Sequence, residues 1–419
     1  MDNVILILKR ELGEMAEPMY HLSMFKFGIE KLFEDKELLE ELKSKKVSLL
    51  AHPASVDQNL NHSIDLCFEN GLELTSCFGP QHGMKGEKQD NMVESDDYKD
   101  PKYNIPVFSL YGEHRKPTDE MMSTFDIILV DLQDVGNRIY TYIATLVYIM
   151  DSCERLGKEV IVLDRPNPAG RMIEGLTLNM DFETFVGSVP MPMRNGITMG
   201  ELALWYKSHK SYKQNVRIVK CEAYEISKEA WPKQLSWVNP SPNLPRLTGI
   251  YSYAGTVLIE GATISEGRGT TIPLELFGAP DVDGEAVVKK MYELNASWLQ
   301  GCKLRPCFFE PTFQKHKQKL CSGFQIHVDH PVYDENKFSP FRLVSLAFKA
   351  VRQLYPDYNM WNNPPYEYEE KLMPVDILAG SSILREWVDD KSAKASDLEQ
   401  IMKKDESDWF KESKEFYLY

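Results

Sequence analysis

Two carboxylates, an amide and an arginine follow an apolar run in Val130-Asp131-Leu132-Gln133-Asp134-Val135-Gly136-Asn137-Arg138. Two carboxyl groups in one cleft push their pKa values apart, so Asp131 and Asp134 can divide into a general acid and a general base. Asp131 can equally cap the following helix or hold backbone amides of a turn. Arg138 is the nearest cation, suited to gripping a substrate carboxylate by two parallel hydrogen bonds or to pairing with Asp134. Two glycine-bearing loops carry further chemistry. Gly79-Pro80-Gln81-His82-Gly83 offers a titratable imidazole beside close-approaching backbone, and Glu266-Gly267-Arg268-Gly269-Thr270 offers a carboxylate and a guanidinium, fit for an anionic, hydroxyl-rich ligand. Either loop can also be a plain structural turn.

These groups need strands to hold them. Val47 to Ala51 ends at His52, Leu72 to Phe78 runs into the Gln81 loop, Ile127 to Val130 leads to Asp131, and Val160 to Leu163 leads to Asp164-Arg165-Pro166-Asn167-Pro168. Polar residues directly after buried strands form the rim at which open α/β sheets bind ligands. Short β-type runs alternate with helical segments such as Ile139 to Leu156, which predicts βαβ units and a parallel, Rossmann-like sheet. Neither G-x-G-x-x-G after the first strand nor a P-loop is present, so no dinucleotide or P-loop nucleotide site is expected. Residues 23 to 46 have the spacing of one or two amphipathic helices.

Three prolines in Trp237-Val238-Asn239-Pro240-Ser241-Pro242-Asn243-Leu244-Pro245 forbid helix and central strand there, which places a domain boundary. The expected division is an extension at 1–24, a Rossmann-like domain at 25–245 and a smaller C-terminal α/β domain at 246–419. In the latter, Thr256 to Glu260 reads as a strand, 263–271 as a loop, Gly284 to Leu299 as helix, Gly323 to Val328 as strand and Phe341 to Leu354 as helix.

At 419 residues the chain is long enough for two cores, and a formal charge of −15 excludes a nucleic-acid or anionic-membrane partner, which needs a concentrated positive field. The apolar run Val4 to Leu8 is too short and lacks the flanks of a signal peptide, and no run of about 18 apolar residues suggests a membrane span. Seven scattered cysteines suit reduced thiols, so a cytoplasmic location is expected. The histidines and cysteines lack metal-ligand spacing, and no G-x-S-x-G elbow occurs, so neither a metal nor a serine hydrolase is expected.

In order along the chain, Phe78-Gly79-Pro80-Gln81-His82-Gly83, Ser109-Leu110-Tyr111-Gly112, Asp131-Leu132-Gln133-Asp134-Val135-Gly136, Arg138 with Tyr140-Thr141-Tyr142, Leu163-Asp164-Arg165-Pro166-Asn167-Pro168, Pro240-Ser241-Pro242-Asn243 and Ser265-Glu266-Gly267-Arg268-Gly269-Thr270 resemble the exo-β-N-acetylmuramidase (NamZ-like) family. The resemblance covers residue 25 to the end. It implies a cleft between the two domains that removes terminal N-acetylmuramic acid from peptidoglycan fragments without a cofactor. The partner is then a small amino sugar or muropeptide, whose lactyl carboxylate accounts for arginines at strand ends. The expected catalytic groups are Asp131, Asp134, Glu266 and His82; the expected substrate-binding groups are Gln81, Gln133, Arg138, Tyr140, Asp164, Arg165, Asn243 and Arg268. One position departs from the family, where Pro-Glu-His precedes the glycine and the glutamate resembles a catalytic acid. Here it is Gln81, and an amide does not donate a proton as a carboxylic acid does. Other carboxylates (Asp131, Asp134, Glu260, Glu266) can take the role, Gln81 can orient a water or the acetamide, or the scaffold can bind amino sugars without cleaving them.

Overall fold

A computed structural model describes residues 24–86 and 93–419. The expected extension at 1–24, apart from its last residue, and the apolar run near residue 5 lie outside the described residues.

Among the described residues, twelve strands form three sheets: β1 Val47–Ala51, β2 Leu74–Gly79, β3 Tyr98–Lys99, β4 Pro106–Ser109, β5 Ile127–Asp131, β6 Glu159–Leu163, β7 Glu174–Thr177, β8 Pro192–Arg194, β9 Val216–Val219, β10 Leu276–Ala279, β11 Lys303–Phe309 and β12 Cys321–His327. The largest has the order β3-β4-β2-β1-β5-β6-β9 and is parallel except where β3 meets β4. The chain lays β1, β2 and β4 outward on one side, then returns to place β5 on the other flank of β1. Loops therefore diverge at the carboxyl ends of β1 and β5, opening a crevice there. The Rossmann-like, two-part α/β expectation holds.

Buried strands with the period of two feed both faces of this sheet. Ile128 and Val130 of β5 join a core with the helix Tyr142–Leu156, while Ile127 and Leu129 face Leu32, Val47, Leu49 and Ile161. The first core continues into the C-terminal half through Phe277, Phe324 and Phe348. There β10-β12-β11 is an antiparallel sheet against which the helices Gly284–Asn295 and Pro340–Leu354 pack. Arg342, on the second of these helices, is forked to Glu399 at 2.8 Å and Glu406 at 2.7 Å, and its backbone N–H donates to Glu174 of β7 at 2.9 Å, fastening the halves together. Among the described residues no helix is long and apolar enough to cross a membrane.

One segment departs from the sequence reading. Thr256 to Glu260 is not a strand: the helix Leu247–Thr256 runs on into a 3-10 turn, Val257–Gly261. Its run of β-branched residues is buried on nearly all sides, a setting in which a strand and an enclosed helix have the same composition. Gly255 makes the helix crossing possible, since a Cβ there would stand 1.9 Å from the carbonyl oxygen of Pro340. The helix after β5 also begins later than expected, at Tyr142, and closes at Gly157 in the left-handed conformation (φ 65°).

Candidate active site

Eight chain segments meet in a narrow cleft of about 40 Å³ between the two halves. The loop after β2 supplies Gln81 and His82, the loop after β5 supplies Tyr140 and Thr141, and the proline-rich connection supplies Ser241. The far wall is Tyr253 and Glu260, Arg268, and the pair Tyr366 and Glu367. A second cavity of about 290 Å³ adjoins it, sharing Glu260, Arg268 and Tyr366 and adding Glu266, Lys315 and Asn362.

Local hydrogen bonds set the near wall. The Thr141 hydroxyl donates to the Gln81 carbonyl oxygen at 2.7 Å, which fixes the orientation of the amide. His82 sits at φ 70° with its Nε2 3.2 Å from the Ser241 hydroxyl, joining the loop after β2 to the interdomain connection. The Tyr142 hydroxyl donates to the Pro240 carbonyl at 2.7 Å and lies 3.2 Å from His52 Nδ1. The ring of Tyr140 packs 4.7 Å from that of Tyr142, and its hydroxyl is buried with no hydrogen-bond partner among the described residues.

The far wall is a chain of charges. Glu260 accepts from Arg268 and, at 2.8 Å, from the Tyr366 hydroxyl. Arg268 Nε lies 3.2 Å from Glu266, whose other oxygen is 2.6 Å from Lys315. Burial alone would push the Glu266 carboxyl up, but Lys315 and Arg268 outweigh it and hold it below the usual carboxylate range. Burial works against the Arg268 charge, yet Glu260 and Glu266 raise its pKa overall. Glu367 differs: burial pushes its carboxyl up to about 7, opposed by the hydrogen bond from Tyr111 and assisted by the Glu260 charge.

Several expected site residues face inward instead. Asp131 is fully buried, with Arg165 Nε at 2.5 Å and Nη2 at 3.0 Å, and it accepts a further hydrogen bond from Ser63. It braces the carboxyl end of β5 and lines neither cavity. Arg165 is correspondingly committed to Asp131 and to the Val56 carbonyl at 2.8 Å. Asp164 accepts from the Gly200 N–H at 2.8 Å, the Thr198 hydroxyl at 2.7 Å and the Tyr419 hydroxyl at 2.9 Å, holding the start of the helix Met199–His209. Burial pushes its carboxyl up to about 6. Gln133 donates to the carbonyls of Asp134 and Pro166 at 2.9 Å, and its N–H donates to His52 Nε2 at 2.8 Å. Asn243 is buried in the connection.

Arg138 pairs with neither Asp134 nor any other carboxylate among the described residues. Its Nη2 donates to the Leu378 carbonyl at 2.9 Å, its guanidinium fills the space left by Gly187 and Gly380, and burial pulls its pKa down to about 9. Leu378 itself lines the cleft, so Arg138 supports that wall from behind.

Asp134 is buried behind Tyr140 and accepts from the Gly136 N–H at 2.6 Å; that turn needs φ +70° and no Cβ, which would fall 2.2 Å from Asn167 Oδ1. Burial pushes its carboxyl from 3.8 to about 7. A folded-state pKa above the unfolded value means the stabilising protonated form is fully present below about pH 4, and its benefit is lost as the pH rises through about 7. Asp134→Asn should therefore raise the free energy of unfolding at about pH 8, by on the order of 4 kcal/mol or less, and leave it nearly unchanged at about pH 4, as denaturant unfolding at the two pH values measures. An equal shift at both values would show that the carboxyl is hydrated.

Sequence reasoning missed Glu367, Tyr366, Tyr253 and Lys315, and named Glu260 only as an alternative acid. Among the described residues no group of three or more His, Cys, Asp or Glu side chains is placed to hold a metal ion.

Comparison with known proteins places this geometry. A DUF1343 family protein from Bacteroides fragilis superposes with a TM-score of 0.82 at 30% identity, over 94% of this chain and 99% of that one. A second from the same organism gives 0.73 at 26% identity, over 95% and 99%. The peptidoglycan β-N-acetylmuramidase NamZ of Bacillus subtilis is 40% identical over 332 residues, 79% of this chain and 78% of that protein. Residues 47–248 match the family described as exo-β-N-acetylmuramidase NamZ, N-terminal, and residues 251–419 match its C-terminal counterpart. With both halves matched in order and the cleft lying between them, the chain belongs to the exo-β-N-acetylmuramidase NamZ family.

Proposed function

We propose that this protein is a glycoside hydrolase that removes a terminal N-acetylmuramic acid from peptidoglycan fragments, one residue at a time. The observation that carries the reading is the interdomain cleft whose far wall joins Glu260, Arg268, Tyr366 and Glu367 opposite the Gln81-His82 loop. Hydrolysis of a glycosidic bond passes through an oxocarbenium-like state, which a carboxylate such as Glu260 stabilises electrostatically. Gln81, His82 and Tyr140 orient the sugar. Asp131, Arg165 and Asp164 hold the strand ends that carry these loops. The working division stays at residue 245, at the end of the connection that brings Ser241 to the cleft. Seven cysteines without a disulfide, six of them buried, support a cytoplasmic location.

Incubation with a nitrophenyl N-acetyl-β-muramide tests this directly. Release of nitrophenol, with little or none from the corresponding N-acetylglucosaminide, is the expected result. Binding of N-acetylmuramic acid without release from any glycoside would replace the hydrolase by a sugar-binding protein.

A further inference from the structure

Glu367 belongs to none of the sequence motifs, yet its placement is costly. Tyr366 and Glu369 exchange backbone hydrogen bonds of 2.9 Å in both directions, and the two residues between them, Glu367 and Tyr368, have φ of 47° and 70°. This is the pattern of a type I′ turn, which ordinarily takes Asn-Gly because a side chain in the left-handed region costs roughly 1–2 kcal/mol per residue. A Glu-Tyr pair persists there only where its surroundings over-determine it, and such strain clusters at functional sites. The surroundings do so here. The Tyr111 hydroxyl donates to Glu367 Oε2 at 2.9 Å, the Arg115 guanidinium lies 3.7 Å from the Tyr368 ring centre, and the Tyr368 hydroxyl donates to Glu94 at 3.0 Å.

Of the carboxyl groups that line the two cavities, Glu266 is engaged by Arg268 and Lys315 and Glu260 by Arg268, while Asp134, which has no cation partner among the described residues, lines neither cavity. Glu367 makes no ion pair among the described residues, accepts one neutral hydrogen bond and lines the same cleft as Gln81. We infer that Glu367 is the proton donor to the leaving glycosidic oxygen, filling the role that the Gln81 amide cannot.

This rests on the hydrolytic reading of the cleft. As the bond from the anomeric carbon to the glycosidic oxygen breaks, its electron pair stays on that oxygen, which takes the Glu367 proton and departs as an alcohol. The anomeric carbon is left as an oxocarbenium-like cation near Glu260. Water then adds to that carbon and returns a proton to the Glu367 carboxylate, restoring the acid. With its carboxyl pushed up to about 7 by burial, Glu367 holds its proton into the neutral range in which a general acid is most effective. The groups that set this balance are Tyr111, Arg115, Glu260 and Arg268 around it.

The test compares wild type, Glu367→Gln, Tyr111→Phe and Gln81→Glu on a N-acetylmuramyl-N-acetylglucosamine disaccharide and on the nitrophenyl N-acetylmuramide, across pH. Glu367→Gln should lose about 10²–10⁴-fold on the disaccharide, whose leaving group needs protonation, and less than about tenfold on the nitrophenyl sugar. Tyr111→Phe removes a hydrogen bond that favours the carboxylate, so the fall in rate above neutrality should move to higher pH, a shift that a misfolded variant does not produce. Gln81→Glu should not raise disaccharide turnover. Unchanged disaccharide cleavage by Glu367→Gln, an unmoved pH limb in Tyr111→Phe, or a gain from Gln81→Glu would overturn the assignment while leaving the hydrolase reading intact. A wild type inactive on both sugars overturns both.

Discussion

An Arg165→Met variant is expected to lose about 3–5 kcal/mol of folding stability, a large share of the roughly 5–15 kcal/mol that natural domains possess. The side chain is 3% exposed and bonds both oxygens of Asp131, which is itself fully buried. Removing the cation leaves a buried carboxylate that keeps, among the described residues, the Ser63 hydroxyl as its side-chain hydrogen-bond donor. The cost arises mainly from stranding that charge, so Asp131→Leu combined with Arg165→Met should recover most of it. Denaturant unfolding of the two variants measures both quantities. A loss below about 1 kcal/mol for Arg165→Met would mean that water reaches Asp131, and that the carboxylate is available to a ligand after all.

Arg268→Met is expected to lower kcat/KM by about 10²–10³-fold, or about 3–4 kcal/mol of transition-state stabilisation. Its guanidinium spans Glu260 and Glu266, and without it the two carboxylates lose the cation they share. The arrangement of charge facing the anomeric centre is then lost. Arg268→Lys should not restore the rate, because an ammonium cannot bridge two carboxylates as the planar fork does. Steady-state kinetics decide the matter. A loss confined to KM for N-acetylmuramides, with kcat intact, would show that Arg268 reads the lactyl carboxylate directly.

The framework was legible where apolar runs end abruptly. β1 coincides with the Val47 to Ala51 reading, and the loops bearing Gln81, His82, Tyr140 and Arg268 do reach the cleft. Polarity after a strand, however, does not say which way a side chain turns. Asp131, Arg165 and Asp164 fold back to tie strand and helix ends, a use that also demands polar residues at those positions. Glu260 was masked because Thr-Val-Leu-Ile is as fit for an enclosed helix as for a strand. Glu367 was invisible for a different reason. Its position depends on two left-handed residues that carry side chains, and local sequence preference argues against that conformation.

The tight turn at 366–369 also bears on how this protein would change if it were bred for heat resistance alone. Putting Asn-Gly at positions 367 and 368 relieves the backbone and is worth on the order of 1–3 kcal/mol, a gain any thermal screen would collect early. The same exchange deletes the carboxyl from the cleft. A lineage kept under pressure for durability but not for turnover should therefore discard Glu-Tyr here among its first substitutions, and one that must keep cleaving sugars should retain it despite the lower melting point.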